Sequence, residues 1–385
     1  MKNAVLAALA LAAAPLAIAQ TQGVSDDEIV LGTAQDLSGP IVSLSKPVVN
    51  GMLMRVEEIN AGGGIQGRKL RLVVEDHGYD PKKAVLAAQK MTQRDKIFAT
   101  VGSIGTPTAL AAMPIYEEKN VPHLFPLTGA RQMFEPLNRL KYSSFAPYYE
   151  QMRASVKYLV KQKGYKKVCT LYQDDDFGLE VTRGGEAALS DLGMQYVERT
   201  TYQRGATDFS SQVSKMKTAG CELIVMGTIV RETVGTIAAA RKLGWNPELV
   251  GSNASHFDTI HKLGKAATNG FYAACTINVP YADDPSKALR DWFAAYKAKY
   301  GEDPTIMSAY GYQIIDTFAG AAQKAGRNLT VDSLLSALES YSQPANMFGA
   351  DELKFSKTSH LGSDRARLCQ IQSERWVPVS EYLIH

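Results

Sequence analysis

Ser103 is the residue whose setting comes nearest to nucleophilic chemistry. It lies in Val101-Gly102-Ser103-Ile104-Gly105, between an apolar, strand-like run and a helix-like run. The strand–turn–helix elbow of α/β hydrolases needs glycine two residues before the serine, and residue 101 is valine. A secreted hydrolase is therefore a minor alternative. The histidines at 77, 123, 256, 261, 360 and 385 form no H-E-x-x-H, and His256 and His261 are off the i, i+4 register that aligns two imidazoles. Cys169, Cys221, Cys275 and Cys369, spaced 52, 54 and 94 apart, form no zinc knuckle. Three disulfide pairings stay open, and Cys169, inside an apolar run, equally suits an unpaired core position. Asp174-Asp175-Asp176 lacks the calcium-loop pattern and reads as a solvated, helix-capping run. Asn60–Gly67 is glycine-rich but follows a helix and lacks a P-loop lysine, so it reads as a C-cap and turn. No metal or cofactor site is expected.

Binding chemistry has better support. Gly102-Ser103-Ile104-Gly105-Thr106-Pro107 joins the carboxyl end of a strand to a helix start. Thr106 suits a cap and Pro107 the first helical position. Hydroxyls and free N–H groups converging at such a point favour a carboxylate. Leu127-Thr128-Gly129-Ala130, after the next strand, offers the same groups. Tyr148, Tyr149 and Phe177 are candidates to clasp an apolar ligand body.

The elements that must position these residues alternate. Strand-like runs Ile29–Ala34, Leu70–Glu75, Ile97–Val101 and Val121–Phe125 enclose helix-like segments Pro47–Ala61, Pro81–Arg94 and Pro107–Lys119. A long helix from Tyr149 to Lys163 then leads to a second series. Its strands are Val168–Tyr172, Gln195–Arg199, Leu223–Gly227 and Leu249–Gly251, and its helices lie near Leu179–Leu192, Asp208–Ala219 and Arg231–Leu243. Such alternation predicts parallel sheets. Helices to Tyr300 and Ala325 and a tail of short strands at Phe348-Gly349, Leu353–Phe355, Leu368–Ile371 and Trp376–Val379 follow. Two α/β lobes joined by repeated crossings are the economical reading. Ligands in open parallel sheets sit beyond the carboxyl ends of the strands.

Composition agrees. The chain has 385 residues, 45% apolar and 21% charged, with a formal charge of +3. That is the profile of an ordered globular chain, without the basic excess of a nucleic-acid binder. Lys2, the uncharged run Ala4–Leu16 and Ala17-Ile18-Ala19 form a secretory signal peptide, residues 1–19. The expected location is a bacterial periplasm.

Several ordered motifs together resemble the type I periplasmic solute-binding proteins of ABC importers, the leucine/isoleucine/valine-binding family. They are Gly32-Thr33-Ala34-Gln35-Asp36-Leu37-Ser38-Gly39-Pro40, Ile59–Arg68, Glu75–Pro81, Gly102–Thr106, Tyr172–Gly178, Thr207-Asp208-Phe209, Leu353-Lys354-Phe355 and Trp376–Val379. The resemblance implies two Rossmann-like lobes with parallel sheets and a three-crossover hinge. Lobe one would hold residues 24–146 and 278–354, lobe two 147–277 and 355–385. It also implies capture of a small molecule without catalysis and delivery to an ABC permease in the inner membrane. A periplasmic ligand sensor docking on a membrane receptor is the alternative of the same shape.

The family's ligand positions fall on Ser103, Ile104, Gly105 and Thr106 for a carboxylate, and then on Leu127, Thr128 and Gly129. Phe177 and Ile229 fall at its aromatic positions. The acidic residue that meets a ligand ammonium falls on Asn253. An asparagine accepts a hydrogen bond but supplies no charge. An amino acid, another organic acid and an amide all remain open as the ligand.

Overall fold

The computed structural model describes residues 21–383. The expected export segment lies outside the described residues. Among these, no helix is long and apolar enough to cross a membrane.

The first series runs β1 (Glu28–Gln35), α1 (Val42–Ala61), β2 (Lys69–Asp76), α2 (Pro81–Gln93), β3 (Ala99–Val101), α3 (Thr106–Glu118), β4 (His123–Leu124) and β5 (Lys141–Tyr142). Its strands form one parallel sheet in the order β2-β1-β3-β4-β5. The second runs α4 (Tyr148–Lys163), β6 (Val168–Gln173), α5 (Asp176–Asp191), β7 (Glu198–Tyr202), α6 (Ser210–Thr218), β8 (Leu223–Gly227), α7 (Arg231–Lys242), β9 (Glu248–Gly251), α8 (Asp258–Gly264) and β10 (Tyr272–Cys275). The remainder comprises α9 (Lys287–Tyr300), α10 (Ile306–Ala325), α11 (Val331–Leu338), β11 (Ser342–Gln343), β12 (Leu353–Lys354), β13 (Arg367–Gln372) and β14 (Arg375–Pro378). The second sheet is ordered β14-β13-β10-β9-β8-β6-β7, with β13 and β14 antiparallel.

Local chemistry sets the helix starts. Asp80 accepts from the N–H groups of Lys82 and Lys83 ahead of Pro81, and Asp175 from those of Phe177 and Gly178. Thr305 and Thr330 form capping boxes for α10 and α11. The first helix was expected from Pro47; it begins at Val42, with Pro47 inside it. The strand expected at Gln195–Arg199 is displaced to Glu198–Tyr202. Phe348-Gly349 is no strand, and Leu353–Lys354 pairs with Ser342–Gln343.

Helix α10 returns to the first lobe, where it crosses α1 backbone to backbone. A Cβ on Gly51 would strike the Ser308 carbonyl, and one on Gly311 the Val48 carbonyl; glycine is what permits this approach. The chain passes between the lobes three times, and Ala146, Ala274 and Ala366 from the three passages pack as one cluster. The last passage lies beyond the expected Phe355. Phe355 stacks on Phe125, His360 stacks on Tyr142, and the Ser143 N–H donates to the His360 carbonyl, which fixes this loop to the first lobe.

The four cysteines form Cys169–Cys221 and Cys275–Cys369, with Cα separations of 5.8 and 5.9 Å, ordinary for a disulfide. Cys169 is therefore not a free core thiol. Both bridges lie in the second lobe.

Candidate functional site

The carboxyl ends of the two sheets face each other across a cavity of about 490 Å³, its open mouth included. From the first lobe come Ile41 and Leu44 at the start of α1, Tyr79 after β2, Ile104, Gly105 and Thr106 after β3, and Leu127 after β4. The second lobe supplies Phe177 after β6, Ile229 after β8, and Asn253, Ala254 and Phe257 after β9. Phe145 and Tyr148 from the first passage, with Met307 and Tyr310 from α10, complete the wall.

Of the residues expected from sequence, Ile104, Gly105, Thr106, Leu127, Phe177, Ile229 and Asn253 line this cavity; Ser103, Thr128, Gly129 and Tyr149 do not. Ser103 turns back into the first lobe. Its Oγ accepts from the Ala34 N–H at 3.0 Å and pairs with Thr100 Oγ1 at 3.0 Å. Thr128 stands one layer behind, with its Oγ1 2.5 Å from Thr106 Oγ1 and accepting from the Ala130 N–H. The Gly129 carbonyl takes the Tyr148 N–H. Tyr149 faces outward, with the Arg131 guanidinium 4.0 Å over its ring; its neighbour Tyr148 is the aromatic that reaches the cavity. Tyr79, Phe145, Phe257 and Tyr310 were not anticipated. Tyr79 follows the end of a parallel strand, the signal that served for Thr106, and was legible in principle.

The wall carries hydroxyl and amide groups but no charged side chain. Thr106 opens α3, and the first turn of a helix presents N–H groups without intrahelical acceptors. Tyr148 packs edge-on against Phe177 at 5.3 Å. Burial raises the Tyr148 phenol and pushes that of Tyr310 up to about 12, so both stay neutral hydroxyls. Tyr310 shares a hydrogen bond of 2.6 Å with Thr276 and stands beside the Asn253 side chain.

The Asn253 amide has a fixed direction. Its Oδ1 accepts from Gln151 Nε2 at 3.1 Å, and its backbone N–H donates to Gln151 Oε1 at 2.8 Å. Gln151 is itself turned by donating to the Ala146 carbonyl at 2.6 Å. Asn253 Nδ2 is thereby the donor end of the amide and hydrogen-bonds to the Tyr310 hydroxyl, both residues being part of the cavity wall.

The nearby carboxylates lie outside the cavity wall. Asp36 accepts from the N–H groups of Gly39 and Ile41 at 2.5 and 2.7 Å and so braces the loop before α1. Glu150, which is not in the cavity wall, feels the Arg131 charge, and its buried Oε2 has no hydrogen-bond partner among the described residues. Asp175 caps α5 and accepts from Gln173 Nε2 at 2.7 Å. His256 lies close to Cys275 and Cys369, whose sulfurs are consumed by their disulfide, so these three form no metal site.

Contacts outside the cavity join the lobes. Arg131 Nε and Nη2 donate to the buried Glu180 carboxylate at 3.0 and 3.1 Å, and Arg204 Nη1 donates to the Tyr79 carbonyl at 3.0 Å.

A family model described as periplasmic binding protein matches residues 28–375. A curated relative from Pseudomonas aeruginosa, the leucine-, isoleucine-, valine-, threonine-, and alanine-binding protein, is 25% identical over 329 residues, covering 85% of this chain and 86% of the relative. The fatty acid ABC transporter substrate-binding protein from Thermomonospora curvata superposes with a TM-score of 0.85 at 24% identity, covering 95% of each chain. An ABC transporter solute-binding protein from R. palustris in complex with benzoate gives 0.80 at 18% identity, covering 92% of this chain and 95% of that one.

Proposed function

This chain belongs to the periplasmic binding protein family, and we propose that it is the solute-binding component of an ABC importer for a small carboxylate with an uncharged, apolar or aromatic body. The ligand carboxylate sits at the start of α3, on Thr106 and the helix N-terminus, with Tyr148 as a further donor. The body lies against Phe145, Phe177 and Phe257 and meets the Asn253 amide at the other end.

One observation carries the choice of ligand. Asn253 offers a donor, its oxygen being held by Gln151, and no carboxylate lines the cavity. An α-amino acid would bring an ammonium into this space with no counter-charge, and an unpaired buried charge is heavily penalised. A ligand with a carboxylate and no ammonium finds hydroxyls and a helix N-terminus at Thr106 and leaves an uncharged body to meet Asn253. The family relationship supports a periplasmic location and a permease partner in the membrane; the relatives are substrate-binding proteins, which supports capture without catalysis.

Isothermal titration of the purified chain with benzoate, a medium-chain fatty acid, leucine and valine tests this. Binding of a carboxylate lacking an ammonium, with leucine and valine at least tenfold weaker, is the expected result. The reverse order would overturn it. Thr106→Val should weaken the preferred acid by about tenfold, the worth of one hydrogen bond to a charged group.

A further inference from the structure

His77 stands outside the ligand cavity yet holds two of its walls. It lies between β2 and Tyr79 and is 1% exposed. Its Nε2 is 3.1 Å from the Ile104 carbonyl, and its Nδ1 accepts from the Tyr79 N–H at 3.0 Å. Ile104 and Tyr79 both line the cavity. Tyr79 has φ +57°, a left-handed conformation that an aromatic residue keeps only where its surroundings impose it. The second lobe closes onto this same residue. Arg204 donates to its carbonyl at 3.0 Å, and Gln173 Nε2 reaches its hydroxyl at 3.4 Å.

We infer that His77 is a positioning residue for ligand capture and that its neutral, Nε2-protonated form is the binding-competent one. The neutral ring donates to Ile104 and accepts from Tyr79. A second proton, on Nδ1, replaces that acceptor with a donor facing the Tyr79 N–H. The left-handed turn loses its support, and with it go one cavity wall and the carbonyl on which Arg204 closes. Ligand affinity therefore falls as the medium acidifies.

The surroundings decide where this happens. Burial lowers the imidazole from its ordinary value, outweighing the Ile104 carbonyl and the carboxylates of Asp36 and Asp76, which favour the proton. Asp175 and Arg204 face Tyr79 from the second lobe. His77 is thus neutral at pH 7 and accepts its proton below the ordinary imidazole range, so capture is complete at neutral pH and lost on the acid side.

The inference rests on the cavity being the ligand site, so its test has one arm that needs no ligand. In that arm, NMR of the ligand-free chain follows the His77 ring nitrogens and the Tyr79 amide between pH 5 and 8. The expected result is the Nε2–H tautomer at neutral pH, with the Tyr79 amide signal moving as the ring titrates. In the second arm, benzoate Kd is measured over the same range, where a carboxylate keeps its charge. The wild type should bind more weakly as the pH falls from 7.5, approaching an about tenfold loss once the ring is fully protonated, one hydrogen bond having been exchanged for a donor–donor contact.

His77→Asn retains an oxygen in place of Nδ1 and should bind within a few-fold of wild type at pH 7.5 with a flat profile. His77→Gln retains a donor in place of Nε2, lacks the acceptor, and should be weaker at every pH. A wild type whose Kd does not change with pH, or a His77→Asn variant that keeps the wild-type slope, would overturn the inference. So would a Tyr79 amide indifferent to the ring. If benzoate does not bind at pH 7.5, the ligand assignment fails and the NMR arm decides the role of His77 alone.

Discussion

Gln151 and Asn253, 102 residues apart in sequence, hold each other through both groups of the Gln151 amide, at 3.1 Å to the Asn253 side chain and 2.8 Å from its backbone. Because Gln151 is also tied to the Ala146 carbonyl at 2.6 Å, the face that Asn253 shows the cavity is set from the first passage between the lobes. The ligand preference of the site is built on a direction, since an amide turned over would offer an acceptor instead.

Asn253→Asp should keep the fold, since a carboxylate oxygen still accepts from Gln151, and should lose carboxylate binding. The new charge lies at a position 6% exposed, facing a ligand of the same sign. A loss of about 100-fold or more in benzoate affinity is expected, on the order of 3 kcal/mol. Calorimetry showing a change under threefold would place Asn253 outside the ligand's reach.

Arg131→Ala tests the tie between the lobes. Glu180 is 2% exposed and would lose its cation, while the Arg131 side chain is itself 29% exposed. The partial exposure discounts the value of a buried pair to about 1–2 kcal/mol. The expected result is a roughly tenfold higher Kd, arising mainly in the dissociation rate, with the rank order of ligands unchanged. A changed rank order would mean that Arg131 acts on the ligand itself.

The bridge Cys169–Cys221 closes a loop with a separation of 52 residues. Chain entropy assigns such a loop about 4 kcal/mol, with native-state relaxation lowering the measured figure. Replacing both cysteines by alanine should lower the midpoint of thermal unfolding by several degrees and leave ligand affinity intact. Equal melting of parent and variant would show that the bridge adds nothing to the folded second lobe.

Acid stability should fall for an identifiable reason. Burial holds the His256 imidazole down at about 3 and that of His123 at about 4, against an ordinary value of 6.5. Below pH 6.5 the unfolded chain takes up protons that the folded chain refuses, so stability is lost as pH falls, by up to about 1.4 kcal/mol per pH unit for each ring. His256→Phe, which keeps an aromatic against Trp376, 4.7 Å away in the wild type, should shallow the slope of melting temperature between pH 7 and 5. An unchanged slope would assign the acid sensitivity elsewhere.

Much of the architecture was legible because periodicity and capping are local. The parallel strands, Asp80 ahead of Pro81, and the cleft at the strand ends all follow from runs of a few residues. The facing of individual side chains was not. Ser103 and Thr106 lie in one loop, and which of them meets the cleft depends on left-handed glycines at 102 and 105, with φ +57° and +98°. Tyr148 and Tyr149 differ by one helical position, which sends one inward and the other under Arg131. Tyr310 reaches the site only because α10 docks on α1 through Gly51 and Gly311, a contact between distant segments that no local pattern announces. Asn253 could be placed by resemblance, but its orientation depends on Gln151.

The second sheet takes β13 and β14 from the end of the chain. The edge of β10 stays open until β13, which follows α9, α10 and α11 in the chain, pairs with it. Cys275 waits through a separation of 94 residues for Cys369. The second lobe cannot be finished early, however quickly its first strands associate. The lobe begun second closes last, and its second disulfide is a covalent record that the segment reaching Cys369 has come into place.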